Sequence, residues 1–126
     1  MNKRIARLAL AGLVVALAFG AALAESPVTR MKIEIDGRAD GNGYIKFGFT
    51  PATGEVKEIE VPVADRDREE AISEAIAKAF KVALGDAYRV DTRGDDEVKI
   101  EARDKKNAFT IAVKELSVRG VSVKLD

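Results

Sequence analysis

Apolar and polar residues alternate in three stretches in the first half of the chain. The stretches are residues 31–36, 45–49 and 59–63, and each places its apolar side chains at every second position. A period of two is typical of a β-strand that buries one face and exposes the other. Pro62 has no N–H to donate to a strand ladder, so we expect the third strand to lie near a sheet edge or to end there.

After position 67 the apolar spacing changes to three and four residues, which is typical of an amphipathic helix. The apolar stripe consists of Ile72, Ala75, Ile76, Ala79, Phe80, Ala83 and Leu84. Asp67 and Glu70 have the spacing of a capping box at the helix start, and Gly85 stands where a positive-φ C-cap is expected. The sequence therefore predicts one helix, capped by Asp67 and ended by Gly85.

Three more alternating runs follow the helix, at residues 88–90, 98–102 and 109–113, and we expect them to form a meander. A last run, 116–125, changes phase at Arg119-Gly120, which predicts a bulge or tight turn there. The predicted fold class is α+β, with one amphipathic helix packed on a coiled antiparallel sheet of six or seven strands in the order βββαβββ(β). The outer sheet face should be wet, with opposite charges paired across strands.

The start of the chain has the layout of a secretory signal peptide. Three basic residues precede an apolar run from Leu8 to Leu23, and small residues stand at Ala22 and Ala24. The run is short for a bilayer span, so we predict cleavage after Ala24 rather than an uncleaved anchor. The protein is then exported to the periplasm or the extracellular medium, with no stable membrane insertion after cleavage.

The predicted organisation is a cleaved signal peptide at 1–24, a short N-terminal extension at 25–30 and a single α+β domain at 31–126. Removing 24 of 126 residues leaves 102, enough for one modest core. Three of the 21 Lys and Arg lie in the signal peptide, so 18 remain against 21 Asp and Glu, a net charge of −3. A mildly acidic chain with few spare aromatic residues is not expected to bind nucleic acid.

Composition also excludes most catalytic designs. The chain has no His, no Cys and no Trp. Ser-His and Cys-His nucleophiles, histidine metal sites and thiol chemistry are therefore impossible. Paired carboxylates can cleave glycosides, but they need a deep cleft, which a domain of this size rarely builds. We predict a protein that is not an enzyme and needs no cofactor; the alternative is a carboxylate-based or metal-assisted hydrolase of the cell envelope.

Asp36, Asp40 and Asn42 are spaced almost as the ligands of a calcium loop. In that alignment the third position is Arg38 and the twelfth is Phe47, and neither can supply a ligand oxygen from its side chain. Asp, Gly and Asn are also the residues that tight turns use. We therefore predict a hairpin loop between two strands and assign no metal site, with Asp36, Asp40 and Asn42 as weak candidates.

Arg93-Gly94-Asp95 spells a tripeptide known for receptor adhesion, and it falls on an expected turn. A glycine with charged neighbours also suits any exposed turn. We predict a structural turn here.

Residues 67–113 resemble the PepSY type of exported domain. The resemblance rests on Glu69-Glu70-Ala71-Ile72, Leu84-Gly85, Tyr88-Arg89-Val90 and Val98-Lys99-Ile100. It implies an alanine-rich helix followed by a meander, and it favours a binding or inhibitory role. The closing acidic-then-glycine strand of that family is missing from this chain.

The apolar faces are wider than one helix can cover. Six or seven strands spaced about 4.8 Å apart span about 25–30 Å, whereas a helix of about 10 Å diameter covers two or three strands. We therefore predict a strongly coiled sheet with one partner-binding edge, formed by residues 120–125. The partner-binding candidates are Tyr44, Tyr88, Val121, Val123 and Leu125.

Together these patterns predict a small exported, non-catalytic domain for binding or assembly. It acts through protein–protein contact, and inhibition of its partner is one form that this contact can take. The partner is another protein or a second copy of the chain, held at a sheet edge or face.

The cleavage prediction has a direct test. Because Ala22-Leu23-Ala24 is the small-x-small site at the end of the apolar run, we expect exported protein to begin at Glu25. Intact-mass analysis of the exported protein checks this. A mass that still includes residues 1–24 would contradict it.

Overall fold

The structure is a computed structural model that describes residues 26–126. The predicted signal peptide, residues 1–24, lies outside the described residues. The seven strands are β1 Arg30–Gly37, β2 Gly43–Pro51, β3 Lys57–Val63, β4 Tyr88–Arg93, β5 Glu97–Ala102, β6 Phe109–Leu116 and β7 Val121–Leu125. One helix, α1 Glu69–Leu84, lies between β3 and β4, and short 3₁₀ turns occur at Gly85–Ala87 and Lys105–Asn107.

The strands form two antiparallel sheets. One sheet has four strands in the order β4-β5-β1-β7, and the other has three in the order β3-β2-β6. The predicted α+β class, with one helix among antiparallel strands, is confirmed, and the element order is βββαββββ. The sheets are not closed into a barrel. β3 is an edge strand, as we predicted from the missing N–H of Pro62.

Two predicted strand connections are wrong. The β1–β2 connection is not a hairpin, because β1 and β2 belong to different sheets. The predicted meander holds only for β4 and β5, which pair with each other, while β6 and β7 each join another partner. The reason is that the second sheet covers the apolar face that α1 leaves open, so the chain crosses between sheets instead of pairing neighbours.

The core lies between the two sheets and the helix. Its largest buried side chains are those of Phe47, Phe49, Phe80 and Phe109, which are at most 1% exposed. Phe80 on α1 meets Phe47 edge-on with ring centroids 5.3 Å apart, and Phe49 stacks on Phe109 at 5.1 Å. Such aromatic contacts add to the free energy gained by burying the rings. The strand positions predicted by alternation and the helix position predicted by its spacing thus supply these four core side chains.

The predicted cap at the start of α1 is wrong. The N-cap residue is Arg68, which makes no side-chain cap hydrogen bond. The Asp67 carboxylate instead accepts from the backbone N–H of Ala64 at 3.0 Å and closes the turn before the helix. Glu69, in the first helical turn, accepts from the N–H of Gly37 at 3.1 Å. Its negative charge also suits the helix dipole, so the first turn is stabilised without the capping box.

The other end of α1 follows the prediction. Gly85 has φ +69° and its N–H donates to the carbonyl of Lys81. The helix packs mainly on β3 and β4. These two strands are edges of different sheets, so α1 bridges the sheets on one side of the domain.

Near the start of α1 the two sheets are also joined by backbone contacts between loops. The loop at 38–42 leads from β1 to β2, and the loop at 117–120 leads from β6 to β7. The N–H groups of Arg38 and Asp40 donate to the carbonyls of Gly120 and Arg119 at 3.1 and 2.8 Å. The crossing needs glycine, because a Cβ on Gly37 would lie 2.1 Å from the carbonyl oxygen of Gly120.

This close approach can be tested by substitution. Gly37 and Gly41 both have φ +105°, but a Cβ on Gly41 would meet nothing within 4 Å. Both alanine variants carry the cost of the backbone conformation, and only Gly37→Ala adds a clash. We expect Gly37→Ala to lower the free energy of unfolding by about 1–3 kcal/mol more than Gly41→Ala. Urea unfolding measures both variants, and equal losses would contradict the prediction.

Candidate functional site

β7 has an open edge at one side of the four-stranded sheet. Lys32 on β1 and Asp126 exchange both backbone hydrogen bonds at 2.9 Å. Bonded and non-bonded residue pairs alternate along an antiparallel ladder, so the N–H and C=O groups of Val121, Val123 and Leu125 point away from β1. No strand within residues 26–126 pairs with that side of β7.

β6 presents a similar edge beside it. Phe109, at the start of β6, exchanges two backbone hydrogen bonds of 2.8 Å with Val28. By the same alternation, the N–H and C=O groups of Ile111 and Val113 point away from β2. β6 and β7 meet at the loop 117–120, so their outward edges border one opening between the sheets.

We call this opening the β6–β7 seam. Its apolar side chains are Ile111, Val113, Leu116, Val121, Val123 and Leu125. Ile111 and Val121 are buried, Val113, Val123 and Leu125 are half-buried, and Leu116 is 39% exposed. The seam therefore combines unpaired backbone groups with apolar side chains that the domain does not cover completely.

The other three sheet edges carry features that discourage pairing with another chain. β3 contains Pro62 and lies against α1, and β4 also lies against α1. β6 has a register irregularity where Lys114 is the extra residue, and Val28 already bonds to its first residue. Proline, bulges, lysine and covering elements are the devices that natural proteins use to protect edges. Except for Lys124, β7 has none of them.

The outer face of the four-stranded sheet is charged, as predicted, but the predicted pairing of opposite charges is wrong between β1 and β5, where Lys32 faces Lys99 and Glu34 faces Glu97. Across the strands, the aligned rows are Arg89–Glu101–Arg30, Asp91–Lys99–Lys32–Asp126 and Arg93–Glu97–Glu34–Lys124. Each row mixes both signs, and Lys99 Nζ lies 3.8 Å from Glu101 Oε1. Surface pairs of this kind are worth about 0–1 kcal/mol each. The face is neutralised within itself and has no large field of one sign.

Tyr44 lies on the outer face of the three-stranded sheet. Its hydroxyl donates to Glu115 Oε2 at 2.6 Å, and Lys46 Nζ lies 3.6 Å from Glu115 Oε1. Its backbone N–H donates to Ser117 Oγ at 2.8 Å. The hydrogen bond to the Glu115 carboxylate raises the pKa of Tyr44, since it stabilises the protonated phenol. The ring is thus accessible but its hydroxyl is already engaged.

Tyr88 belongs to the edge of the core. Its ring packs edge-on against Phe49 and Phe109, with centroids 5.1 and 5.7 Å apart. Its hydroxyl donates to the carbonyl of Asn107 at 3.1 Å, and burial raises its pKa. The structure therefore does not bring Tyr44 and Tyr88 to one surface with the β7 candidates.

The calcium-like stretch is a hydrogen-bonded turn. Asn42 Oδ1 accepts from the N–H of Asp65 at 2.9 Å, and the N–H of Gly41 donates to Asp65 Oδ1 at 2.8 Å. Asp36 stands apart on β1, opposite Ser122. In the part of the chain that the structure describes, no group of three or more acidic, His or Cys residues is placed to hold a metal ion.

The predicted turn at Arg93-Gly94-Asp95 is confirmed as the β4–β5 hairpin turn, and all three residues are exposed. Gly94 has φ +58°, and the carbonyl of Asp95 lies 3.5 Å from the hydroxyl of Ser73, which donates to it. The turn is thus tied to α1 by its backbone.

Neither a protein-family model, nor a curated protein, nor a solved structure matches this chain. The resemblance of residues 67–113 to PepSY-type domains therefore carries no family assignment. No helix among residues 26–126 is long and apolar enough to cross a membrane.

The sequence predicts β7 but not the other half of the seam. Its alternation gives Val113 and Leu116 only as residues on strand faces, and Val28 falls in the predicted N-terminal extension. The only sequence signal for the seam is the phase change at Arg119-Gly120, which shows that β6 and β7 do not continue one alternation.

The tyrosines give a prediction for alkaline pH. Both pKa values are raised above 10.0, so each phenol favours the folded state below pH 10 and this stability is lost as pH rises through the folded pKa. We expect Glu115→Gln to lower the pKa of Tyr44 and leave that of Tyr88 unchanged. Ultraviolet titration of the phenols in both proteins measures this, and a shift in Tyr88 alone would contradict it.

Proposed function

We propose that this chain is a small exported, non-catalytic domain that binds or assembles with protein through the open edge of β7. The observation that carries the proposal is the row of N–H and C=O groups at Val121, Val123 and Leu125, which face away from β1 beside an apolar seam. An extended segment that adds to such an edge gains backbone hydrogen bonds, while its alternate side chains reach the apolar positions.

The magnitudes suit regulated or reversible contact. Each backbone hydrogen bond contributes a net of about 0.5–1.5 kcal/mol. Covering the exposed part of Leu116 adds about 25 cal/mol for each Å² of apolar surface removed from water. Inhibition is one form of this function, because a partner segment held as an added strand is no longer free to move.

The alternative, a carboxylate-based or metal-assisted hydrolase, has less support in the arrangement of charges. The aligned carboxylates on the four-stranded sheet, such as Glu97 and Glu34, lie on an open outer face with basic residues in the same rows. Acid–base pairs for glycoside cleavage are instead found in clefts, one on each side of the scissile bond.

A proline variant tests the proposed edge. Val123→Pro removes one outward N–H and leaves the β1–β7 ladder intact, because that N–H does not bond to β1. Val123→Thr is the matched control, since it keeps both the N–H and the β-branched shape. We expect the mature chain and Val123→Thr to bind extended peptides with alternating apolar residues, or to self-associate, and Val123→Pro to lose this contact.

Amide chemical shifts locate the contact. The proposal predicts that Val121, Val123 and Leu125 respond when peptide is added or when the protein concentration is raised. It is overturned if neither treatment changes these amides, or if every response maps to another surface.

A further inference from the structure

We propose that the segment which adds to β7 is β7 of a second copy of this chain, in an antiparallel pair with a two-fold axis at Val123. The inference rests on the proposed function, since it names the occupant of the same edge. Two four-stranded sheets then become one continuous eight-stranded sheet. Closed two-fold symmetry uses the same surface on both copies, so the edge must be complementary to itself.

The backbone selects one register. Only a pair centred on Val123 lets every outward residue of β7 bond at once, with Val123 facing the partner's Val123 and Val121 facing the partner's Leu125. A shift of two residues in either direction leaves one outward residue without a facing strand residue. The register with the most hydrogen bonds is therefore also the symmetric one.

The charges agree with this register. Ser122 then faces the partner's Lys124, and Gly120 faces the partner's Asp126. Within one chain, Ser122 is aligned with Asp36, and Gly120 is bonded to Arg38. The partner's Lys124 and Asp126 thus each face a small residue, beyond which lies an opposite charge, Asp36 on β1 or Arg38 just after β1.

Inside each copy, too, the charged residues at the end of β7 are aligned with opposite charges on β1. Lys124 is aligned with Glu34, and Asp126 exchanges hydrogen bonds with Lys32. Each charge at the edge therefore has an opposite charge of its own chain directly alongside it, and one of the second copy behind the small residue that it faces. The two Lys124 side chains meet only on a diagonal, where the Cβ distance is greater than between facing residues.

The seam supplies the apolar part of the contact. Val123 and Leu125 are half-buried in a single copy, and Leu116 is 39% exposed at the end of β6. Facing β-branched residues stabilise neighbouring strands. β7 also lacks the proline, the bulge and the covering helix of the other edges, and its one edge-protecting residue, Lys124, faces the partner's Ser122 in this register.

Sedimentation equilibrium of the mature chain tests the assembly. We expect a reversible dimer, with Val123→Thr similar to the unchanged protein. By symmetry Val123→Pro removes a hydrogen bond from each copy, so association should weaken by roughly tenfold or more. Circular dichroism of both variants checks that the fold is kept.

Cysteine pairing tests the register independently of the proline variant. The chain has no cysteine, so introduced thiols report only on the contact. In the proposed register Ser122 and the partner's Lys124 form a non-hydrogen-bonded pair, whose Cα separation of about 4.5 Å is within the range of a disulfide. Mixing Ser122→Cys with Lys124→Cys should give crosslinked dimers under mild oxidation. The matched mixture of Lys124→Cys with Asp126→Cys should not.

The outcomes separate this inference from the proposed function. A protein that stays monomeric and uncrosslinked, while extended peptides still shift the β7 amides, overturns the second copy and leaves the proposed function standing. A monomer whose β7 amides respond to nothing overturns both. Efficient crosslinking of Ser122→Cys to itself means another register and overturns this one.

Discussion

The contact between Gly37 and Gly120 is the constraint on which the arrangement of the sheets depends. Both residues have positive φ, and their backbones approach so closely that no side chain fits between them. This contact lets two loops cross between the sheets at the same place. Because the chain crosses there, β7 returns beside β1 and not beside β6, the strand that precedes it. The open edge of β7 is thus a consequence of the crossing.

The local pattern of apolar residues was sufficient to predict the strands and the helix, but it was insufficient to predict which strands pair with each other. Whether Ile33 or Phe80 is buried depends on the side-chain period along a short stretch, and that period is visible in the sequence. Whether β1 pairs with β2 depends on which apolar faces remain uncovered after the whole chain has folded. The hairpin between β1 and β2 and the continuation of the meander from β5 to β6 were predicted wrongly for that reason. The Asp67 cap failed because its carboxylate had a nearer partner, the N–H of Ala64.

Only part of the candidate site, the β7 strand, could be predicted from the sequence, for a related reason. The last apolar run is outside the meander phase, so its position at an edge could be inferred from the residues after Gly120. The sequence could not show which backbone groups of β7 face outward, because their direction depends on the pairing of Asp126 with Lys32. The role of Val28 could not be predicted either. This residue belongs to the predicted N-terminal extension, but its backbone hydrogen-bonds to Phe109 and forms a strand bridge. Tyr88 was predicted to bind a partner at the surface. In the structure its ring instead packs at the edge of the core, against Phe49 and Phe109.

The division between faces and edges determines how this domain can discriminate among partners. The charged rows on the outer face are neutralised internally, so they attract no particular partner from a distance. Backbone groups at an edge accept any extended chain, because every residue except proline offers the same N–H and C=O. Selection then falls to the residues beside the edge, Lys124 and Asp126 with their neighbours on β1. A strand that places a positive charge beside Lys124 or a negative one beside Asp126 is rejected by repulsion, so recognition here works by exclusion more than by attraction.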